Sequence, residues 1–200
     1  VQPHRSLPDM PRVSRAQTEK NRAAIEHASS RLIRERGLSV SVADLMGAVG
    51  LTPGGFYGHF KSKDDLNAVA CDHAFTEAAR QWQIRMASAG SRTTLINAYL
   101  HPRAASAKTP CPMVSLAADV AREDTDKPVR QRFHQGLEEL VRRLQTTYHA
   151  EHARDAALAD VATMVGALLL ARATRGKRIS REIMAASRTR LLGDNTHPQG

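Results

Sequence analysis

Aromatic side chains are scarce in this chain: one Trp, three Tyr and four Phe account for 4% of 200 residues. A core with so few rings has to be assembled from Leu, Val, Ile, Ala and Met, and a hydrophobic fraction of 42% is enough to build one. Cysteine is nearly missing as well. Cys71 and Cys111 are too few and too far apart for a disulfide framework, and no CxxC or Cys/His spacing provides a metal site. No stretch alternates polar and apolar residues with period two, β-branched runs are short and alanine is abundant, so the expected fold class is all-α. No apolar run is long: the longest, residues 161–171, is interrupted by Thr163 and Gly166, well short of the roughly 20 residues a membrane span needs. The start shows no basic region followed by an apolar one, so no secretory signal is read there. Together with the sparse cysteine, these absences make a reducing, cytoplasmic location the expectation. Acidic residues are outnumbered, 20 against 29 Lys and Arg, giving a net charge of +9. That balance suits a polyanionic partner, although scattered arginines also fit an ordinary solvated surface.

What the chain does have is a sequence of helix stops and starts. Residues 1–15 contain Pro3, Pro8 and Pro11 among arginines and read as a flexible basic arm. A helix over 15–36 presents Ile25, Ala28, Ser29 and Leu32 on one face and stops at Gly37. Ser41-Val-Ala-Asp44 is a capping pattern for a second helix, 42–49, with Val42, Leu45, Met46 and Val49 inward and Gly50 ending it. Thr52 and Pro53 open a third, about two turns long, and Ser62 to Asp65 caps a long fourth running to about residue 87. Further helices are expected over 91–99 (capped by Ser91), 113–122, 128–149, 153–175 and 180–192, with a loop over 101–112 and a frayed tail over 194–200. No internal repeat or low-complexity segment is present.

The stretch 50–63, GLTPGGFYGHFKSK, concentrates three of the eight aromatic residues and several basic ones. Two short helices joined across Gly50 and Leu51 have the dimensions of a helix-turn-helix. Phe56 and Phe60, four apart, are expected to plug the third helix into the core. Thr52, Pro53, Gly54, Gly55, Tyr57 and Gly58 are left on a small, open side where a backbone could approach a groove wall. Tyr57 and His59 could then hydrogen-bond phosphate or a base edge, and Lys63 could neutralise phosphate. Tyr57 and Lys63 also admit plainer readings, as a core ring with an exposed hydroxyl and as a solvated lysine, and His59 could simply cap its own helix.

In these residues the chain resembles the TetR/AcrR family of bacterial transcriptional repressors. The matching positions are Gly37, Asp44, Leu45, Gly50, Leu51, Thr52, Gly54, Phe56, Tyr57, His59, Phe60, Ser62, Lys63 and Leu66. The resemblance covers roughly residues 20–68. It implies an all-helical homodimer with a helix-turn-helix head (16–62) and an effector-binding and dimerisation body (63–193). It also implies a palindromic double-stranded DNA operator, from which a small effector releases the repressor. Ser41, Thr52, Pro53, Gly54, Gly55, Tyr57, His59 and Lys63 are the expected DNA contacts, with Tyr57 and Lys63 clamping phosphate. The sequence departs from the family pattern where Met46 and Val49 stand for small alanines and Gly55 for a residue that often bears a hydroxyl.

In the body, Phe75, Trp82, Tyr99, Cys111 and Met113 are candidate effector-pocket residues, with plain core filling as the competing reading. Val161, Met164, Val165, Leu168, Leu169 and Arg172, with Ile183 and Leu191, make two apolar helices expected to form a dimer interface. Cys111, between two prolines, offers an alternative in which a reactive thiol senses redox state or electrophiles. Cys111 with His134, or Asp119 with Glu123, could be drafted as catalytic pairs. However, no nucleophile elbow, phosphate loop or cofactor fingerprint accompanies them, so no enzyme and no cofactor is expected.

Overall fold

The computed structural model describes residues 14–89, 92–108, 110–148 and 151–193, which contain helices and no strand. The arm before residue 14, the tail 194–200 and the expected cap Ser91 lie outside the described residues. The helices are α1 Arg15–Arg36, α2 Val42–Gly47, α3 Lys63–Ala89, α4 Arg92–Tyr99, α5 Pro112–Arg122, α6 Pro128–Gln145, α7 Ala153–Ala173 and α8 Arg178–Gly193. Two 3-10 segments, Pro53–Gly58 and Pro102–Ser106, interrupt them, the second inside the stretch expected to be loop.

Caps set the head's boundaries. Ser14 Oγ accepts from the Gln17 N–H at 3.2 Å and opens α1. Gly37, at φ +85°, closes it by donating its N–H to the Ile33 carbonyl at 2.8 Å. Ser41 Oγ accepts from the Asp44 N–H at 3.1 Å and starts α2. That helix ends sooner than the periodicity suggests, because the N–H of Val49 and that of Leu51 both turn back to the Met46 carbonyl, at 3.1 and 3.0 Å. Gly50 takes φ +72° to make the turn. The third helix is 3-10 rather than α. Three glycines and a proline in six residues are poor at propagating an α-helix, and the tighter i→i+3 bond from Gly55 N–H to Thr52 O takes its place at 3.1 Å. The Thr52 side chain makes no capping bond, contrary to expectation. Ile25, Leu32, Leu45, Met46, Phe56, Phe60 and Leu66 form the head's core, with Val42, Val49 and Leu51 at its rim.

From Ser62, whose Oγ accepts the Asp65 N–H at 3.0 Å, α3 runs 27 residues, roughly 40 Å at 1.5 Å per residue. It packs on α1 at one side and α6 at the other. The body's core takes in Ile33 and Leu38 from the head's own segment, so the two units share apolar side chains. Within the body a buried ion pair, invisible to sequence periodicity, ties α4 to α7. Arg92 Nε donates to Asp160 Oδ2 at 2.7 Å and Nη2 to Oδ1 at 3.1 Å, and the Tyr148 hydroxyl donates to the same carboxylate.

The last two helices are apolar for a different reason from the one the sequence suggests. Val161, Met164, Leu168 and Leu191 are buried inside the protomer, where α7 packs on α8, and cannot also be a contact surface. Val165 and Ile183 are half-buried against the same core, and Arg172 Nη1 donates to the Ala107 carbonyl at 2.9 Å. Of the expected interface only Leu169 is an exposed apolar side chain. It is joined on α7 by Leu158 and Leu170, and on α8 by Ile179. The helix α7 extends over 21 residues, well beyond the run 161–171, and among the described residues it alone is long and apolar enough to cross a membrane. It packs against α6 and α8 and carries the buried Asp160.

Gly37 holds the head to the body. A Cβ there would stand 2.3 Å from Asp119 Oδ2, the oxygen that accepts the Leu38 N–H at 2.9 Å. Gly37→Ala is therefore expected to lose about 2–4 kcal/mol, combining a positive φ with the loss of a carboxylate-to-backbone hydrogen bond. Urea unfolding checks this, and an unchanged midpoint would contradict it.

Candidate functional site

The segment Pro53–Gly58 is anchored from behind and bare in front. Phe56 and Phe60 are buried and stack with centroids 5.8 Å apart. Tyr57, packed edge-to-face on Phe56 at 5.2 Å, is 78% exposed. Arg22 of α1 fixes the far end: its guanidinium lies over the Phe60 ring, 4.5 Å from the centroid, and Nη1 donates to the His59 carbonyl. Sequence periodicity places Arg22 merely off the buried stripe, and nothing in its spacing signals this clamp.

Around Tyr57 the surface is small. Thr52, Pro53, Gly54, Gly55 and Gly58 are exposed, His59 and Lys63 are half-exposed, and Ser41 is exposed at the start of α2. The three glycines have no structural need to be glycine. None has a positive φ. A Cβ on Gly54 or Gly58 would meet nothing within 4 Å, and on Gly55 it would make an ordinary contact with Met46 Cε at 3.7 Å. Ser41 faces its own helix, its hydroxyl donating to Asp44 Oδ2 at 2.8 Å while capping. Lys63 sits in the first turn of α3 beside Asp64 and Asp65.

The second feature is a cavity of about 660 Å³ where head and body meet. His27, Arg31 and Arg34 of α1 line one side, and Glu77, Gln81, Trp82 and Arg85 of α3 another. The remaining wall comes from Ala98 and Tyr99 of α4, the 101–112 segment with Arg103 and Cys111, and Leu168 of α7. Trp82 and Tyr99 pack edge-to-face, 5.9 Å apart. Two of the five expected pocket residues are elsewhere. Phe75 is packed against Phe133 beneath Gly136, where a Cβ would come 2.2 Å from its ring, and lines a separate cavity of about 480 Å³ between α3 and α6; Met113 is buried in the body core.

The protonation of this wall is set by burial. The Tyr99 hydroxyl, at 5% residue exposure, has no well-formed hydrogen bond among the described residues, and burial holds its pKa well above the ordinary value. Burial also pushes the Cys111 thiol up, while the neighbouring Tyr99 hydroxyl and the N–H groups of Met113 and Val114 pull it partly back. The net effect is opposite to the activated thiolate that a place at a helix start suggests.

Residues 25–69 match the profile of bacterial regulatory proteins of the tetR family. The head is a TetR-family head. The fold of the whole chain agrees with this. It superposes on a TetR transcriptional regulator from Chloroflexus aurantiacus with a TM-score of 0.73 at 23% identity, covering 91% of this chain and 97% of that one. A TetR-family regulator from Cytophaga hutchinsonii gives 0.74 at 18%, covering 88% and 96%. The reduced form of NemR from E. coli gives 0.73 at 17%, covering 87% and 96%. No curated protein matches the chain in sequence.

Polar contacts join the TetR-family head to the body, one of them at the cavity. Arg34 Nη2 of α1 donates to Glu77 Oε2 of α3 at 2.5 Å, and both residues line the cavity. Asp119 of α5, the helix whose N-cap is Cys111, holds the Leu38 N–H. Lys127, at the start of α6, donates to Asp64 at the start of α3 at 2.6 Å.

Cys71, fully buried on α3, has its pKa pushed up to about 12 by burial. Folding keeps this proton on, whereas the unfolded chain gives it up near 9.0. The native state then binds more protons than the unfolded one, so stability should fall as pH rises from about 9 towards 12. The raised Tyr148 hydroxyl, at about 12, adds to the upper part of this decline. Thermal melts across that range check it: Cys71→Ala should flatten the slope, and an equal slope in both proteins would refute the assignment.

Proposed function

We infer that the protein is a ligand-responsive transcriptional repressor that binds a palindromic DNA operator as a dimer and leaves it when a small molecule occupies the body. The observation that carries the DNA reading is the set of glycines at 54, 55 and 58, which neither backbone conformation nor internal packing requires. Each costs helical stability, roughly 0.5–1 kcal/mol against alanine, with no return inside the protomer. A surface that must come within contact distance of a groove wall supplies the return. Tyr57 and Lys63 flank it as phosphate ligands, Thr52, Pro53 and His59 face the groove edge, and Ser41 offers its backbone end at the start of α2. Arg22 and the two phenylalanines keep the segment rigid while it is in contact.

Dimerisation is proposed through α7 and α8, on a face displaced from the one periodicity suggests. Leu158, Ala162, Val165 and Leu169 recur at i, i+4, i+7 and i+11 along α7, exposed except for the half-buried Val165. This stripe leaves the buried Val161, Met164, Leu168 and Leu191 as its backing. Two heads on one dimer then require a fixed spacing, and effector and operator select different spacings. The cavity lies where that spacing is set. Trp82, Tyr99 and Cys111 stay in the proposed effector site, and Phe75 and Met113 are removed from it.

Sensing through Cys111 is the second reading, supported by the thiol's place in the cavity wall and opposed by its raised pKa. Cys111→Ser decides between them: a pocket sensor still releases DNA on ligand, and a thiol sensor loses its response.

Two substitutions test the DNA face on a duplex from upstream of the protein's own gene. Lys63→Ala should weaken binding to all sequences about equally and lower the salt slope by about 1. Gly54→Ala should leave stability unchanged or raise it by up to about 1 kcal/mol, while weakening DNA binding about tenfold or more. If Gly54→Ala destabilises the head, the glycine serves the fold; if it binds DNA normally, the close approach is wrong.

A further inference from the structure

The cavity between head and body carries a strong charge bias. Arg31, Arg34 and Arg103 line it; Arg31 is paired with Glu35 at 3.3 Å and Arg34 with Glu77, the one carboxylate in the lining. Its floor is the opposite: Trp82 is 3% exposed and Leu168 3%, beside Ala98 and Ala104. The buried Tyr99 hydroxyl, which lies beside the Cys111 thiol without a well-formed hydrogen bond, stands at the junction of the two regions. At about 660 Å³ the cavity is in the size range of sites for small organic molecules.

We propose that the cavity takes an amphipathic anion, with an acyl or aryl body on Trp82 and Leu168 and a carboxylate-type head among Arg34, Arg103 and the Tyr99 hydroxyl. This rests on reading the cavity as the effector site and names its ligand class. A cation finds only Glu77, and would have to break the Arg34 pair to reach it. A neutral ligand gains no charge-assisted bond from Arg34 or Arg103. An anion adds charge-assisted hydrogen bonds to guanidinium groups already in place. It also competes with Glu77 for Arg34, a residue of the head's own first helix. Occupancy therefore weakens a contact that holds α1 against α3, which connects ligand charge to head position.

The single tryptophan in the chain lines the cavity and reports on it directly. Full-length protein without DNA is titrated with decanoate, decanamide and decylamine at neutral pH, following Trp82 fluorescence. Decanoate should bind about tenfold or more tighter than decanamide, with decylamine weakest. Arg103→Gln, on the exposed 3-10 segment, should cost most of that preference and leave decanamide binding unchanged. Equal binding of decanoate and decanamide, preference for decylamine, or no fluorescence response to any of them overturns the proposal. Adding operator DNA separates the two levels. Decanoate that binds without releasing DNA upholds the anion site and refutes the effector reading. Release by decylamine alone upholds an effector site and refutes the anion.

Discussion

One continuous helix belongs to two cores at once, and the remaining architecture is arranged around that constraint. The N-terminal turns of α3 close the head's core through Leu66, and its middle supplies Ala70, Cys71 and Phe75 to the body's core. The cavity residues Glu77 and Trp82 come later on the same rod. The helix, roughly 40 Å long, thus places Lys63 and Trp82 on one continuous element. Its surroundings differ in stiffness. On the α4 and α7 side, the wall is backed by Arg92, Asp160 and Tyr148, a buried network whose disruption costs about 3–5 kcal/mol. On the α1 side, the wall is held by Arg34, 9% exposed, and Glu77, 37% exposed, a pair open to solvent on its carboxylate side.

The segment Pro53–Gly58 shows the reverse economy, in which local helical stability is low and the exposed face is small. Six residues with three glycines do not sustain an α-helix, and the chain settles into 3-10 geometry. Rigidity is restored from outside the segment, by two buried phenylalanine rings and by the Arg22 guanidinium held over Phe60. Separating the groups that touch from the groups that hold leaves the exposed face free to be small.

Much of this was legible in the sequence. The caps at Ser41 and Ser62 and the stops at Gly37 and Gly50 fixed the head's elements to within two residues, because each depends on local backbone chemistry. Phe56 and Phe60 were legible as anchors from their spacing alone. What periodicity could not supply was which neighbour an apolar face meets. Residues of α7 that looked like an interface are satisfied by α8, and Phe75, which looked like pocket lining, is satisfied by Phe133. Nor could spacing show long-range polar pairs such as Arg92 with Asp160, Asp119 with Leu38 or Arg22 with His59, which join residues from different parts of the chain. Thr52 had the right identity for a cap, but a following 3-10 turn presents its N–H groups differently, and the hydroxyl stays free for the exposed side.

These pieces bear on the direction of control. If an anion in the cavity and DNA at Pro53–Gly58 favour different positions of α1 and α3, the coupling is reciprocal, so operator-bound protein must hold the ligand more weakly by the same factor that ligand weakens operator binding. The energy available is bounded by the contacts that differ between the two states. The Arg34 and Glu77 pair, one carboxylate-to-backbone bond at Leu38 and the partly exposed Lys127 and Asp64 pair together amount to about 1–4 kcal/mol. That range corresponds to roughly a five- to thousandfold change in operator affinity, within reach of a functional switch without any unfolding of the head. A larger response would require the apolar packing that head and body share, at Ile33 and Leu38, to change as well.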